Sequence, residues 1–304
     1  MVYSIKGGEL MKKSSTIDLH THSYFSDGTY SPEELILLAK EQGISAVALT
    51  DHDTIQGLEQ FIIAGEKHGI ETIPGIELAA QWGRFHQPEL HIVGLGFDPK
   101  AAIWAEQMEA FVQNRTIRNI KMAKQLTEIG LPITLEEVTD SAGGEIITRA
   151  HFASVLLKKG YIRTRDEAFS KYLTQGRPGY VAKILPTPAS CIQTIHSAGG
   201  ISILAHPTLY SLAQDQLDAL CEELVPLGLD GIECFYSTFT PSQRKNMMKL
   251  AKKHHLCPSG GSDFHGKNKP LINLGSGRGN LAIPYSLWEN MQPRIKAFQE
   301  NTSL

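Results

Sequence analysis

Short apolar runs alternate with amphipathic ones along most of the chain. "STIDLH" (15–20) reads as a strand and "SPEELILLAKEQG" (31–43) as the helix after it. Ser31 sits where an N-cap belongs, Pro32 at the first helical position and Gly43 at the stop. "ISAVALTDHD" (44–53) has the Val, Ala and Leu of a buried strand, and a helix from about Ile55 to His68 closes at Gly69. "IETIPGIEL" (70–78), "LHIVGLGF" (90–97), "GISILAHP" (200–207), "GLDGIECFY" (228–236) and "HLCPSGGSDF" (255–264) are further strand candidates. Helices are expected near Asp215–Pro226 and Pro241–His255. Strands separated by helices predict parallel βαβ units in an α/β fold. About seven of them suit a barrel better than an open sheet.

The rhythm breaks from about Lys100 to Val181. "AAIWAEQMEAFVQNRTIRNIKMAKQLTEIG" (101–130) is one long periodic helix, and no strand pattern returns until Gly200. Residues 100–181 are therefore expected to be a mainly helical insertion, and residues 16–99 and 182–304 the barrel. Residues 1–15, with Gly7-Gly8 and Lys12-Lys13, are expected to be a flexible extension.

The 304 residues, 41% of them hydrophobic, supply a full core. A net charge of −3 argues against a general nucleic-acid coat. The charge is uneven, however. Lys100 to Lys183 holds thirteen Lys and Arg against nine Asp and Glu, so it carries +4 while the remainder carries −7. Metal-ready and anion-ready chemistry thus fall in different stretches. Cys191, Cys221, Cys234 and Cys257 never reach C-x-x-C spacing and read as reduced core residues of a cytoplasmic protein. No apolar run has the roughly 18 residues of a membrane span.

The candidate chemistry collects at strand ends. His20 and His22 are two apart on a strand and so face one way. "TDHD" adds His52, "PGIE" adds Glu77 and "ELH" adds His91; "LAHP" adds His206, and "GSDFH" adds Asp263 and His265. In α/β barrels the C-terminal strand ends carry the active site. Imidazoles and carboxylates without thiolates suit Mn, Zn or Fe. There are too many ligands for one tetrahedral ion, so two or three divalent ions sharing a bridging carboxylate fit better. Such a cluster suits phosphoester displacement.

"DLHTHSYFSDGT", "TDHD", "GIE", "LAHP" and "GSDFHG", in this order, resemble the signature of the polymerase-and-histidinol-phosphatase (PHP) superfamily. The resemblance covers most of the chain outside the insertion and looks most like the stand-alone branch. That branch includes nucleoside 3′,5′-bisphosphate phosphatases and a 5′→3′ exoribonuclease. It implies a distorted (βα)7 barrel of the PHP type. It also implies one metal on His20, His22, Glu77 and Asp263, a second on Glu77, His91 and His206, and a third on Asp27, His52 and His265. The implied reaction is attack of a metal-bound hydroxide on a nucleotide phosphate monoester or a short 5′-phosphorylated RNA, with Mn2+ as the first choice of ion. Asp263 is expected to be catalytic, and His206 or His265 could donate the leaving-group proton, although both serve better as ligands. No obligate protein partner is indicated.

Within the insertion, Arg149 opens a helix and can grip a phosphate bidentately. Lys183, Arg177 and Tyr180 in "RPGYVAK", with Arg115 and Arg118 on one helix face, complete the substrate-binding candidates. Asp18, Asp51 and Asp53 read as orienting residues or loop caps. His68, His86, His196, His254 and His255 have no motif around them, and "LGSGRGN" (274–280) reads as a turn rather than a nucleotide loop. The rivals are a histidinol-phosphate phosphatase with the same cluster and a non-catalytic metal-binding PHP module.

Overall fold

The computed structural model describes residues 4–6, 9–11, 16–84, 87–142 and 147–302. Two compact units emerge, one of 1–105 with 186–304, the other of 106–185. Within residues 1–15, where a flexible extension is expected, β1 (Ser4–Lys6) and β2 (Glu9–Met11) pair antiparallel in a two-stranded sheet of their own.

The barrel starts with β3 (Thr16–Asp18), α1 (Pro32–Glu41), β4 (Ile44–Leu49) and α2 (Leu58–His68). Ser31 caps α1 as its position predicts: its hydroxyl accepts from the Glu34 amide at 3.1 Å, and Glu34 accepts from the Ser31 amide at 2.7 Å. Next come β5 (Glu71–Arg84) and β6 (Gln87–Leu95). In the second unit follow α3 (Ile103–Glu128), which begins just before the boundary, α4 (Leu135–Ala142), α5 (Arg149–Lys158) and α6 (Arg165–Ala168). Met122, Leu126, Val138, Phe152 and Leu156 form its separate core. The barrel resumes with α7 (Pro188–Ser197), β7 (Ile201–Leu204), α8 (Gln214–Leu224), β8 (Gly231–Tyr236), α9 (Pro241–Lys253) and β9 (Cys257–Gly261). A short β10 (Ile283–Pro284) and α10 (Ser286–Thr302) end it.

The sheet runs β10-β3-β4-β5-β6-β7-β8-β9. Its ends meet. The Leu19 amide donates to the Gly260 carbonyl (3.2 Å), Asp263 to His20 (2.9 Å) and His22 to Phe264 (2.9 Å). The result is a distorted barrel of seven main strands, with β10 as a short antiparallel addition to β3. Ile17, Ala46, Ile73, Val93, Ile201 and Ile203 fill the interior, and Trp288, Met291 and Ile295 of α10 pack against it.

One expectation is corrected. Not every strand is parallel: β6 is antiparallel to both β5 and β7. Only two residues separate β5 from β6, too few for the crossover that parallel strands require. "IETIPGIEL" covers the first part of β5 and "LHIVGLGF" the last part of β6, so the two belong to one hairpin rather than to two βα units. No described helix is long and apolar enough to cross a membrane. The four cysteines are free, and Cys191, Cys221 and Cys234 are buried.

Candidate active site

The β3 ladder stops at Asp18, short of both histidines. Asp18 ends it by accepting amides from His20 (3.3 Å), Ser262 (2.8 Å) and Gly275 (2.7 Å). The Thr21 hydroxyl donates to the Ala48 carbonyl (2.6 Å), and the Thr21 carbonyl accepts the Thr50 amide (2.9 Å). With Thr21 pinned to β4, His20 and His22 turn the other way, and their Nε2 atoms come within 3.1 Å. The loop beyond them is folded by Asp51, which accepts from the Ser23 amide (2.8 Å), the Ser23 hydroxyl (2.6 Å) and the Ser26 hydroxyl (2.6 Å). Gly28 lets it close: a Cβ there would lie 2.3 Å from the His22 carbonyl oxygen. Asp27 is thereby carried to 3.1 Å from His265 Nε2.

Glu77 is the hub. Its Oε2 lies 3.2 Å from Nε2 of both His20 and His22 and 3.1 Å from His52 Nδ1. Its Oε1 lies 2.7 Å from His91 Nδ1 and 2.9 Å from His206 Nε2. The antiparallel β5–β6 pair makes this possible, because β6 runs back and sets His91 opposite Ala79, beside Glu77. His52 is held across from Glu77 by a parallel bridge. Asp53, His206 and Asp263 adopt positive φ (52°, 28° and 57°), strained backbone typical of functional sites.

Potential ligand atoms converge in three overlapping groups, each within 4.8 Å: His20, His22, Glu77 and Asp263; His52, Glu77 and His91; His22, Asp27, His52 and His265. All nine expected ligand residues therefore lie in one cluster, with His206 attached through Glu77. The grouping differs from the implied one in three respects: His52 joins Glu77 and His91, His206 falls in none of the three groups, and His22 joins the Asp27 group.

The electrostatics of the cluster follow from its packing. Burial opposes charge on Glu77, but His52, His91 and His20 hold its carboxyl well below the usual range. Burial likewise opposes charge on His22, yet Asp263 and Glu77 carry it up to about 9. His91, against Glu77 and Glu89, rises to about 10 despite burial. Desolvation, aided by His22 and His91, takes His52 down to about 3. Among the described residues, buried Glu77 Oε2 has no hydrogen-bond partner, although it faces the nitrogens of His20, His22 and His52. An orphaned carboxylate oxygen aimed into a nest of imidazoles fits a divalent cation.

Four contributing residues escape the motif reading. Glu89 takes His91 Nε2 at 3.0 Å. Tyr236 Oη (2.5 Å) and Lys269 Nζ (2.6 Å) bind Asp263 Oδ2, leaving Oδ1 toward His20 and His22. Glu233 lies against His20 and His206. An acidic residue inside the apolar run "GIECFY" was the available signal, since a buried charge needs a partner.

The basic candidates all belong to the second unit. Arg149 opens α5, donates through Nη1 to the Leu173 carbonyl (3.1 Å) and lies 5.8 Å from the Tyr180 ring centre. Arg118 is buried and donates through Nε to the Val181 carbonyl (3.0 Å). Arg115, Arg177 and Lys183 share this unit with them. His196 and His254 pair with Asp230 (2.7 Å) and Asp218 (2.6 Å), and His68 with Glu33 (3.3 Å), while His86 lies outside the described residues.

Comparison with known proteins agrees with the geometry. A 5′-3′ exoribonuclease of Haemophilus influenzae is 37% identical over 84% of this chain and 95% of its own length. A 3′,5′-nucleoside bisphosphate phosphatase of Chromobacterium violaceum is 31% identical over 92% of this chain and 98% of its own. Among solved structures, an amidohydrolase from Chromobacterium violaceum, with sulfate bound and no metal, superposes with a TM-score of 0.75 at 31% identity, covering 92% of this chain and 97% of that one. A structure from Bifidobacterium adolescentis, described as a metal-dependent phosphoesterase, gives 0.73 at 29% identity, covering 93% and 97%. That neighbour and the His/Asp/Glu cluster together suggest divalent metals. The PHP domain profile matches residues 18–173, from the first histidine motif into the second unit. Barrel, motif order and relatives thus agree, and the chain belongs to the PHP domain family.

Proposed function

We propose that the protein is a metal-dependent phosphoesterase that hydrolyses a phosphate monoester of a nucleotide, a nucleoside 3′,5′-bisphosphate in the first instance, and trims short 5′-phosphorylated RNA. The observation that carries this reading is Glu77 at the junction of two ligand groups, with both carboxylate oxygens aimed at histidine nitrogens. His20, His22 and Asp263 would hold one ion with Glu77, and His91 and His206 a second. Asp27, His52 and His265 would hold a third, and Mn2+ suits the donor set. Bound there, the ions would supply Lewis acidity at the phosphoryl group and activate water near neutral pH.

The chain's own residues orient this centre. Tyr236 and Lys269 fix Asp263 so that one oxygen faces the histidines. His265 is turned by its Nδ1 contact with the Asp263 carbonyl (2.9 Å), which leaves Nε2 toward Asp27. Arg149, Arg115, Arg177, Lys183 and Tyr180 are the proposed substrate-binding residues, cationic and aromatic groups of the kind that a second phosphate and a base would require. Arg118, buried and bonded to a carbonyl, holds its unit together instead. The names of the two relatives support the nucleotide and RNA assignment.

The test is phosphate release with Mn2+ from adenosine 3′,5′-bisphosphate, histidinol phosphate and a 5′-phosphorylated oligoribonucleotide in parallel. The bisphosphate is expected to be preferred. Preference for histidinol phosphate would overturn the substrate, and no release from any of the three would overturn the function.

A further inference from the structure

We infer that Glu233 is a positioning residue that sets two parts of the metal centre at once: the ring of His20 and the backbone of His206. This rests on the proposed metal centre. Glu233 lies on β8, has 2% of its surface exposed and belongs to none of the ligand groups. Its Oε1 is 2.8 Å from His20 Nδ1, and its Oε2 is 2.5 Å from the His206 amide.

The two contacts have different consequences. A carboxylate only accepts, so the hydrogen of His20 sits on Nδ1 and the lone pair on Nε2. That nitrogen is the one 3.2 Å from Glu77 Oε2 and 3.7 Å from Asp263 Oδ1. The second contact holds a residue at φ 28°, ψ 53°, a conformation that costs energy without an outside restraint. His206 in turn sets its Nε2 on Glu77 Oε1 at 2.9 Å. One side chain thereby braces both oxygens of the hub, through histidines that are far apart in sequence.

Glu233→Gln separates this role from bulk packing, because it keeps the shape and reverses one contact. The His206 amide can only donate, so the glutamine oxygen must face it. The amide NH2 then faces His20 Nδ1 and drives that ring's hydrogen onto Nε2, where it blocks ligation.

The experiment is calorimetric titration of Mn2+ into the chelator-treated full-length protein. Beside the wild type run Glu233→Gln and Asp230→Asn; Asp230 is a buried acid just ahead of β8 that binds His196 and Ser202. Glu233→Gln is expected to bind its tightest Mn2+ about 10–100-fold more weakly, while Asp230→Asn loses thermal stability at unchanged Mn2+ affinity. A folded Glu233→Gln protein with wild-type affinity overturns the inference. Absence of Mn2+ binding by the wild type overturns the metal centre itself, and this role with it. Should Glu233→Gln fail to fold, 15N-histidine spectra of the wild type loaded with diamagnetic Zn2+, with His20 assigned through His20→Gln, decide: hydrogen on Nδ1 supports the role and hydrogen on Nε2 refutes it.

Discussion

His22 presents its two ring nitrogens to different neighbours. Nε2 lies 3.2 Å from Glu77 and 3.3 Å from Asp263, and Nδ1 lies 3.7 Å from Asp27. The gap of five residues between His22 and Asp27 therefore spans from one ligand group to the next, with His22 belonging to both. Its pKa, raised from 6.5 to about 9, has a measurable consequence. The protonated ring is favoured in the folded, metal-free protein. That contribution to stability is complete below about pH 6.5 and is lost as pH rises through about 9. Bound metal must displace the same proton. Apparent Mn2+ affinity should therefore climb between pH 6.5 and 9, with proton release visible as buffer-dependent calorimetric heats. A flat affinity profile over that range would contradict it. At this scale the sequence was informative wherever chemistry sat in a motif. Asp18 and Asp51, read as orienting residues or loop caps, accept backbone amides and do cap loops. Glu233 was hidden because its meaning depends on a partner 213 residues away. Tyr236 and Lys269 acquire theirs only once β8 and the segment after β9 lie side by side.

Among the elements, helices were easier to read than strand directions. Ser31, Pro32 and Gly43 mark α1 through local chemistry that needs no knowledge of the rest of the fold. The β5–β6 hairpin was not readable, since Gly83 and Pro88 make its outer halves look like a loop. The most constrained loop is the one carrying Asp27. In Gly28→Ala the new Cβ would meet two backbone oxygens, at 2.3 Å from His22 and 2.9 Å from Ser23, and neither can swing aside as a side chain could. We expect a cost of about 1–3 kcal/mol in a denaturant melt. One equivalent of Mn2+ should also be lost, because Asp27 moves away from His52 and His265. A variant with wild-type stability and metal content would show that the loop is less tightly closed than described.

For the whole molecule, strand patterning stops after Phe97, and α3 to α6 follow there before β7 begins at Ile201. Closure was not readable in the sequence, because it depends on contacts between the first and last strands. There, three amide hydrogen bonds join the β3 and β9 segments. The group of His20, His22, Glu77 and Asp263 straddles the same seam, with two residues on one side of it and Asp263 on the other. An ion in that group would act as a clasp on the ring as well as a centre for chemistry. Stripping it with a chelator should lower the thermal midpoint, since a ligand at 100 times its Kd contributes about 2.7 kcal/mol. The loss should not be uniform. Hydrogen exchange should accelerate first at the amides of Leu19, His22 and Asp263, while β4 and β5 keep their protection. The barrel would then come undone as a ring unbuckles, at the join between its beginning and its end, and a cell short of the metal would hold an enzyme that is opened as well as idle.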